Sequence, residues 1–236
     1  MKFHHNPPKV VVLTGAGISA ESGIRTFRDS NGLWEDHDIM EVASPGGWRT
    51  NPGLVLDFYN KRRRQLKEVV PNAAHFALAE LQNRFDVTII TQNVDDLHER
   101  AGSQKIIHLH GELLKVRSTR DENLVLHWPG DLHLGDLCRH GSQLRPHIVW
   151  FGEEVPLMQR ASSVASLADI FMVVGTSLQV YPAAGLTTYV DADVLKYHID
   201  PNPGDAMRNT PNLVTYAEAA TTGVRKVVDE LMKLKF

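Results

Sequence analysis

Five short segments hold the residues able to do chemistry, and each follows an apolar run. The first is Lys9-Val-Val-Val-Leu-Thr-Gly-Ala-Gly-Ile-Ser-Ala-Glu-Ser-Gly23. Val10 to Leu13 read as a buried strand, and Gly15, Gly17 and Ala20 then fit the G-x-G-x-x-G/A spacing of a dinucleotide-binding turn. Small residues let the backbone turn tightly against a pyrophosphate, and N–H groups opening the next helix supply donors and partial positive charge. An enzyme that transfers hydride on this plan carries an acidic residue about 20 positions on, after a second strand, to hold a ribose. The chain has Gly32-Leu-Trp-Glu-Asp-His-Asp38 there, polar and turn-like with no apolar strand before it. The turn therefore reads as a dinucleotide site outside the usual dehydrogenase layout.

The other segments are Thr91-Gln-Asn-Val-Asp-Asp96, His108-Leu-His-Gly111, Leu144-Arg-Pro-His-Ile-Val-Trp-Phe-Gly-Glu153 and Val174-Gly-Thr-Ser-Leu178. Taken singly they are ordinary: amides and acids after a strand cap turns, and a histidine between apolar neighbours is commonly structural. Their common placement is the stronger signal. Apolar runs predict strands at Val10–Leu13, Val87–Ile90, Ile106–Leu109, Ile148–Phe151, Phe171–Val174, Val194–Ile199 and Leu213–Thr215. Helical spacing predicts helices at Leu54–Lys67, Ala73–Asn83 and Glu218–Leu234. The alternation implies an α/β fold, a Rossmann-like parallel sheet with helices on both faces. Ligands of such sheets sit beyond the carboxyl ends of the strands, where all five segments fall. Asp29 to Trp48, rich in Gly, Pro and polar residues, and Glu112 to Arg145, with little apolar periodicity, break the pattern. They predict a smaller lobe built from insertions at about 29–70 and 112–145 of one catalytic domain spanning 1–236.

The 236 residues suffice for a real core. The net charge of −3 gives no basis for bulk nucleic-acid binding. The one concentrated basic run, Lys61-Arg-Arg-Arg64, is read first as a solvated helix face. No window approaches the ~18 apolar residues of a membrane span, and Met1 to Pro8 lacks the apolar core of a secretory signal. One cysteine, Cys138, fits a reducing cytoplasm and cannot supply a four-cysteine zinc site.

In order along the chain, Gly15-Ala-Gly-Ile-Ser19, Gly23-Ile-Arg-Thr-Phe-Arg28, Thr91-Gln-Asn-Val-Asp95, His110-Gly111, Phe151-Gly-Glu153 and Gly175-Thr-Ser177 match the motifs of the sirtuins. The chain resembles that family of NAD-dependent protein-lysine deacylases, in its bacterial form, from about Val10 to about Val228. The resemblance implies NAD as cofactor, held by Gly15, Ala16, Gly17, Ser19, Phe27, Arg28, Gln92, Asn93, Asp95, Gly175, Thr176, Ser177, Asp200 and Ala217. Asn93 and Asp95 would hold the nicotinamide end, and Arg28 would bridge to phosphate or ribose. His110 would be the general base, taking a proton from a ribose hydroxyl. Asp200 stands where the family often has an Asn near the adenosine ribose. Val149, Phe151 and Gly152 would pair with an acylated-lysine protein, the implied partner. The products would be nicotinamide, free lysine and O-acyl-ADP-ribose.

Tyr59 and Arg62 lie three apart on one helix face and resemble the Tyr-x-x-Arg signature of sirtuins that prefer acidic acyl groups. A succinyl or malonyl carboxylate would meet a guanidinium and a phenol there, with deacetylation retained, and small Ala43 would leave room. The chain departs from the family where two Cys-x-x-Cys pairs usually hold zinc. Lys115 to Asp121 has no cysteine, and Cys138 has only His140, His127 and His133 nearby in sequence, so a metal-free lobe anchored by Trp128 is expected. Val94 replaces the usual Ile, and Arg25 a common Pro. ADP-ribosyl transfer to protein and a non-catalytic NAD sensor are the competing readings. Oligomeric state is not legible.

Overall fold

The computed structural model describes residues 3–25, 33–34 and 37–235, the pair 33–34 by backbone alone. In chain order the strands are β1 (Lys9–Thr14), β2 (Leu33–Trp34), β3 (His37–Asp38), β4 (Asp86–Thr91), β5 (Ile106–His108), β6 (Gly111–Ser118), β7 (Val125–His127), β8 (Leu144–Ile148), β9 (Ile170–Val174), β10 (Leu195–Ile199) and β11 (Leu213–Tyr216). The α-helices are α1 (Gly17–Ala20), α2 (Ile39–Val42), α3 (Pro45–Thr50), α4 (Pro52–Glu68), α5 (Ala73–Glu80), α6 (Leu97–Arg100), α7 (Met158–Ala165) and α8 (Ala220–Leu231). Among the described residues no helix is long and apolar enough to cross a membrane.

Six strands form a parallel sheet in the order β11-β10-β9-β1-β4-β5. The period of two along β1 sorts its side chains. Val10 and Val12 enter one core with α5 and α8, while Val11 and Leu13 enter another with α7 and the 3-10 segment Ala183–Tyr189. Burial on both faces is what a parallel sheet demands and explains the unbroken apolar runs. The chain leaves β1 towards β4 and β5 on one side, and returns through β9 to β10 and β11 on the other. The turns after β1 and β9 are thus neighbours at the point where strand order reverses, the usual ligand crevice of such sheets.

The predicted strand at Ile148–Phe151 does not join this sheet. Its ordered part is β8, which ends at Ile148 and pairs antiparallel with β6, with β7 on the far edge of β6. The sequence hid β6 because Glu112, Lys115 and Arg117 interrupt its apolar residues. Helices α2 to α4 pack on this small sheet through Val55, Phe58, Tyr59, Leu113, Ile148 and Trp150. The helix expected after the glycine turn is one turn long, and the predicted helix at Ala73–Asn83 ends as a 3-10 turn, Leu81–Asn83. Helix α7, eight residues rich in Ala and Ser, is not among the predicted helices.

Candidate functional site

The two turns at the switch point press directly on each other. The Gly15 N–H donates to the Val174 carbonyl (3.0 Å) and the Gly17 N–H to the Gly175 carbonyl (2.8 Å). A Cβ on Gly17 would lie 2.7 Å from Gly175 Cα, and one on Gly15 2.7 Å from Thr176 Cβ. Gly175, at φ +63°, would meet Ile18 N at 2.3 Å. These glycines are required by the close approach of two backbone turns. The sequence reading, which assigned them to a pyrophosphate, missed that constraint. The same contacts occupy several N–H groups of the turn, since those of Ile18 and Ser19 reach back to the carbonyls of Gly15 and Ala16.

Beside these turns opens a cleft of about 540 Å³ between the parallel sheet and the small lobe. It brings together Gly15, Ala16, Gly17, Ser19, Gln92, Asn93, Asp95, His110, Gly175, Thr176, Ser177 and Asp200 with Tyr59, Arg62, Val149, Phe151 and Gly152. Ala217 is exposed and outside it; Ala219 and Ala220, at the start of α8, line it instead. The reason is register, because β11 runs on to Tyr216 and the chain meets the cleft only where α8 begins. Phe27 and Arg28 lie outside the described residues. Glu21, Trp150, Tyr181 and Asn202 also line the cleft. Glu21 and Trp150 lie inside quoted segments, whereas Tyr181 and Asn202 had no signal in the sequence.

His110 stands in the loop between β5 and β6, and its Nδ1 lies 3.0 Å from the Gln92 carbonyl. A carbonyl only accepts, so Nδ1 carries the proton and Nε2 is the acceptor nitrogen. Burial lowers the His110 pKa, keeping the ring neutral near pH 7, and the Gln92 carbonyl opposes this in part. Asn93 Nδ2 donates to the Gly15 carbonyl (3.1 Å) and Ser19 Oγ (3.3 Å). Its own carbonyl faces His108 Nδ1 at 3.3 Å. Burial pushes Asp95 up to about 6, against hydrogen bonds from the Leu97 N–H and Ser19 Oγ. Burial lowers the His108 pKa, but Glu99, 2.6 Å from Nε2, reverses this and raises it.

The opposite wall belongs to the small lobe. Tyr59 is fully buried and its hydroxyl accepts the Trp150 indole N–H at 3.0 Å. Burial raises its pKa far above the ordinary phenol value, so the hydroxyl keeps its proton near pH 7. Arg62, half-buried, passes over the Phe58 ring at 5.4 Å. The basic run is therefore solvated only in part, at Lys61 and Arg64, because successive residues on a helix turn by about 100°. Arg63 is wholly buried and donates to the Leu113 carbonyl (3.0 Å) and Asn60 Oδ1 (2.8 Å), and Arg64 is exposed near Asp131. Beyond them Glu153 gathers Arg145 (2.6 Å), Arg117 (3.1 Å) and the Trp150 N–H (2.8 Å), fixing the strip Val149–Gly152. Arg145 also stacks 3.4 Å from the Trp150 ring centre.

Cys138 Sγ lies 3.3 Å from Ser118 Oγ, and His127, His133 and His140 form no ligand group with it among the described residues. Trp128 does pack in this lobe, against the core of Leu56, Val116, Leu132, Cys138 and Leu144.

The Sir2 family pattern matches residues 15–182. A curated Helicobacter pylori (strain J99) protein named NAD-dependent protein deacylase is 59% identical over 225 residues, covering 95% of this chain and 96% of its own length. A crystal structure of a Sir2 homolog–NAD complex superposes with TM-score 0.84 at 38% identity, covering 95% of this chain and 90% of that one. A structure of Sir2 bound to acetylated peptide superposes with TM-score 0.77 at 29% identity, covering 94% and 93%. With a family match over most of its length and relatives this similar, the chain belongs to the Sir2 family.

Proposed function

We propose that this chain is an NAD-dependent protein-lysine deacylase that removes succinyl, malonyl and acetyl groups, releasing nicotinamide and O-acyl-ADP-ribose. One observation carries the reading: His110 Nε2, the Asn93–Asp95 pair and the Arg62–Tyr59 pair all border a single cleft. The chemistry of the polar lining suits NAD, and relatives and structural neighbours bear its name. NAD held by these residues would supply an anomeric carbon from which nicotinamide can leave and to which an acyl oxygen can add. His110 Nε2 removes the proton of a ribose hydroxyl, a role worth about 10² to 10⁴ in rate. Asn93 spends its amide hydrogens on Gly15 and Ser19 and turns Oδ1 to the nicotinamide carboxamide. Asp200, at the end of β10, accepts from ribose hydroxyls, and Ser177 donates close by. The Val149–Gly152 strip pairs with the backbone of an extended acyl-lysine protein, in line with the peptide bound by the structural neighbour. Free, buried Cys138 suits a reducing cytoplasm.

Acid selectivity rests on Arg62 and Tyr59. A succinyl carboxylate gains charge-assisted hydrogen bonds that an acetyl group lacks, each worth about 1.5 to 3 kcal/mol. The test incubates the protein with NAD and matched acetyl-, succinyl- and malonyl-lysine peptides, reading nicotinamide and O-acyl-ADP-ribose by mass. In Arg62→Met, kcat/KM for the succinyl peptide falls about 10- to 100-fold while the acetyl peptide stays within about twofold. Equal losses on both remove the acid-acyl reading, and absence of O-acyl-ADP-ribose from every peptide removes the deacylase reading.

A further inference from the structure

Under the floor of the cleft lie two histidines that the chemistry above does not use. His75 on α5 and His98 on α6 are both fully enclosed (0% and 1% exposed), with ring centres 4.9 Å apart at 62°. Burial holds both pKa values down, His75 at about 4, with His75 and His108 adding to the effect on His98. Both rings are neutral near pH 7, so each has one N–H and one lone pair.

Their partners fix the tautomer of His98 and leave that of His75 open. At His75 Nδ1 the Asn72 N–H (3.3 Å) and Asn72 Oδ1 (3.1 Å) both lie within reach, so a proton on either nitrogen of that ring finds a partner. Thr14 Oγ1 donates to Thr91 Oγ1 (2.8 Å), so His98 Nε2, 3.1 Å from Thr14 Oγ1, must be the donor there and Nδ1 the lone pair. His75 Nε2 and His98 Nδ1 are buried and meet no hydrogen-bonding protein atom. The rings are in contact, and His98 Nδ1 is an acceptor whichever nitrogen of His75 holds the proton. An enclosed polar atom left unmatched costs about 1 to 3 kcal/mol. A bound water, which can donate twice or donate and accept, satisfies the pair in either tautomer of His75.

We propose that one buried water joins His75 Nε2 to His98 Nδ1 and closes a polar relay that positions Asn93 for the dinucleotide. The relay runs from Asn72 through both rings to Thr14 and Thr91, and Thr91 Oγ1 accepts the Asn93 N–H at 3.0 Å. At its other end Asn72 Nδ2 donates to the Ile18 carbonyl (2.8 Å) and Ser22 Oγ (3.0 Å), holding the glycine turn. One chain of hydrogen bonds thus fixes both strips of the cleft, and each link polarises the next. His75 and His98 are positioning residues. This rests on the assignment of the cleft to NAD.

The discriminating variant is His75→Gln. Glutamine is the ordinary partner in a capping box, so α5 keeps its cap while the ring nitrogen that meets the water is lost. Nitrogen-15 NMR of histidine rings in the wild-type protein is expected to show both rings neutral and His98 as the Nε2–H tautomer with Nδ1 hydrogen-bonded. In His75→Gln the His98 Nδ1 resonance moves to the value of an unbonded lone pair. Calorimetry then shows NAD bound about 3- to 10-fold more weakly. A His98 ring protonated on Nδ1, or a variant with unchanged His98 resonance and unchanged NAD affinity, overturns the relay. So does a high-resolution crystal structure with no water between the rings. A wild-type protein that binds no NAD overturns the link to Asn93 and with it the assignment of the cleft, while the tautomers still report on the histidine pair itself.

Discussion

Asp95 is a carboxylate with 7% of its surface exposed, held by one hydroxyl and one amide N–H, and burial pushes its pKa up to about 6. A folded value above the unfolded one, about 3.9, means that the native state binds the proton first as pH falls. The ionised side chain destabilises the fold above pH 6, and that penalty is relieved between about 6 and 4. Asp95→Asn is therefore expected to melt a few degrees above wild type at pH 7.5, with the gap closing by pH 4. Thermal melts across that range check it, and a variant that melts lower at pH 7.5 refutes it. His75 works in the opposite direction. Burial takes it from 6.5 down to about 4, so the unfolded chain takes the proton first and stability is lost as pH drops across that window. A site residue that costs stability fits a group retained for a ligand.

At the scale of elements, the site depends on how the strip Trp150–Gly152 is fastened. Glu153 accepts from Arg145, Arg117 and the Trp150 N–H, with both guanidinium groups nearly buried. In Glu153→Gln those cations lose their counter-charge. The expected cost is about 2 to 4 kcal/mol, or roughly 5 to 15 °C in Tm. KM for an acyl peptide should rise more than KM for NAD, because the strip is the one proposed to pair with the peptide. Melts and separate KM determinations test this, and equal KM changes count against it. The strands of the parallel sheet were legible because both faces are buried and their apolar runs are unbroken. So were the glycine turn, Asn93, Asp95 and His110, which stand at strand ends. What escaped were β6, whose apolar residues are interrupted by Glu112, Lys115 and Arg117, the three-residue β7, and the true neighbours of the glycines. Contacts between turns 160 residues apart, such as Gly15 with Gly175, leave no local periodicity. The splay of Arg62, Arg63 and Arg64 follows from helix geometry, but which of them is buried depends on the lobe packed above.

At the scale of the molecule, the cleft lies between two bodies with separate cores, and its shape depends on the small lobe holding together. That lobe is closed by polar fasteners within an apolar core. Asn60 accepts the Leu132 N–H (2.9 Å) and Arg63 Nη1 (2.8 Å) and donates to the Leu132 carbonyl (3.0 Å), tying α4 to the segment after β7. Leu56, Val116, Leu132, Cys138 and Leu144 fill the space around it. These contacts include no metal ligand, and the notion that they alone hold the lobe makes a prediction. Excess chelator is expected to leave Tm unchanged. Asn60→Ala, which strands the Leu132 backbone groups and one Arg63 donor, lowers stability by about 2 to 4 kcal/mol. Loss of the cleft should follow, read as weaker binding of an acyl peptide. Calorimetry of the purified protein with and without chelator, beside the Asn60→Ala variant, separates the two supports. A chelator-induced fall in Tm, accompanied by release of zinc, would transfer that role to a metal.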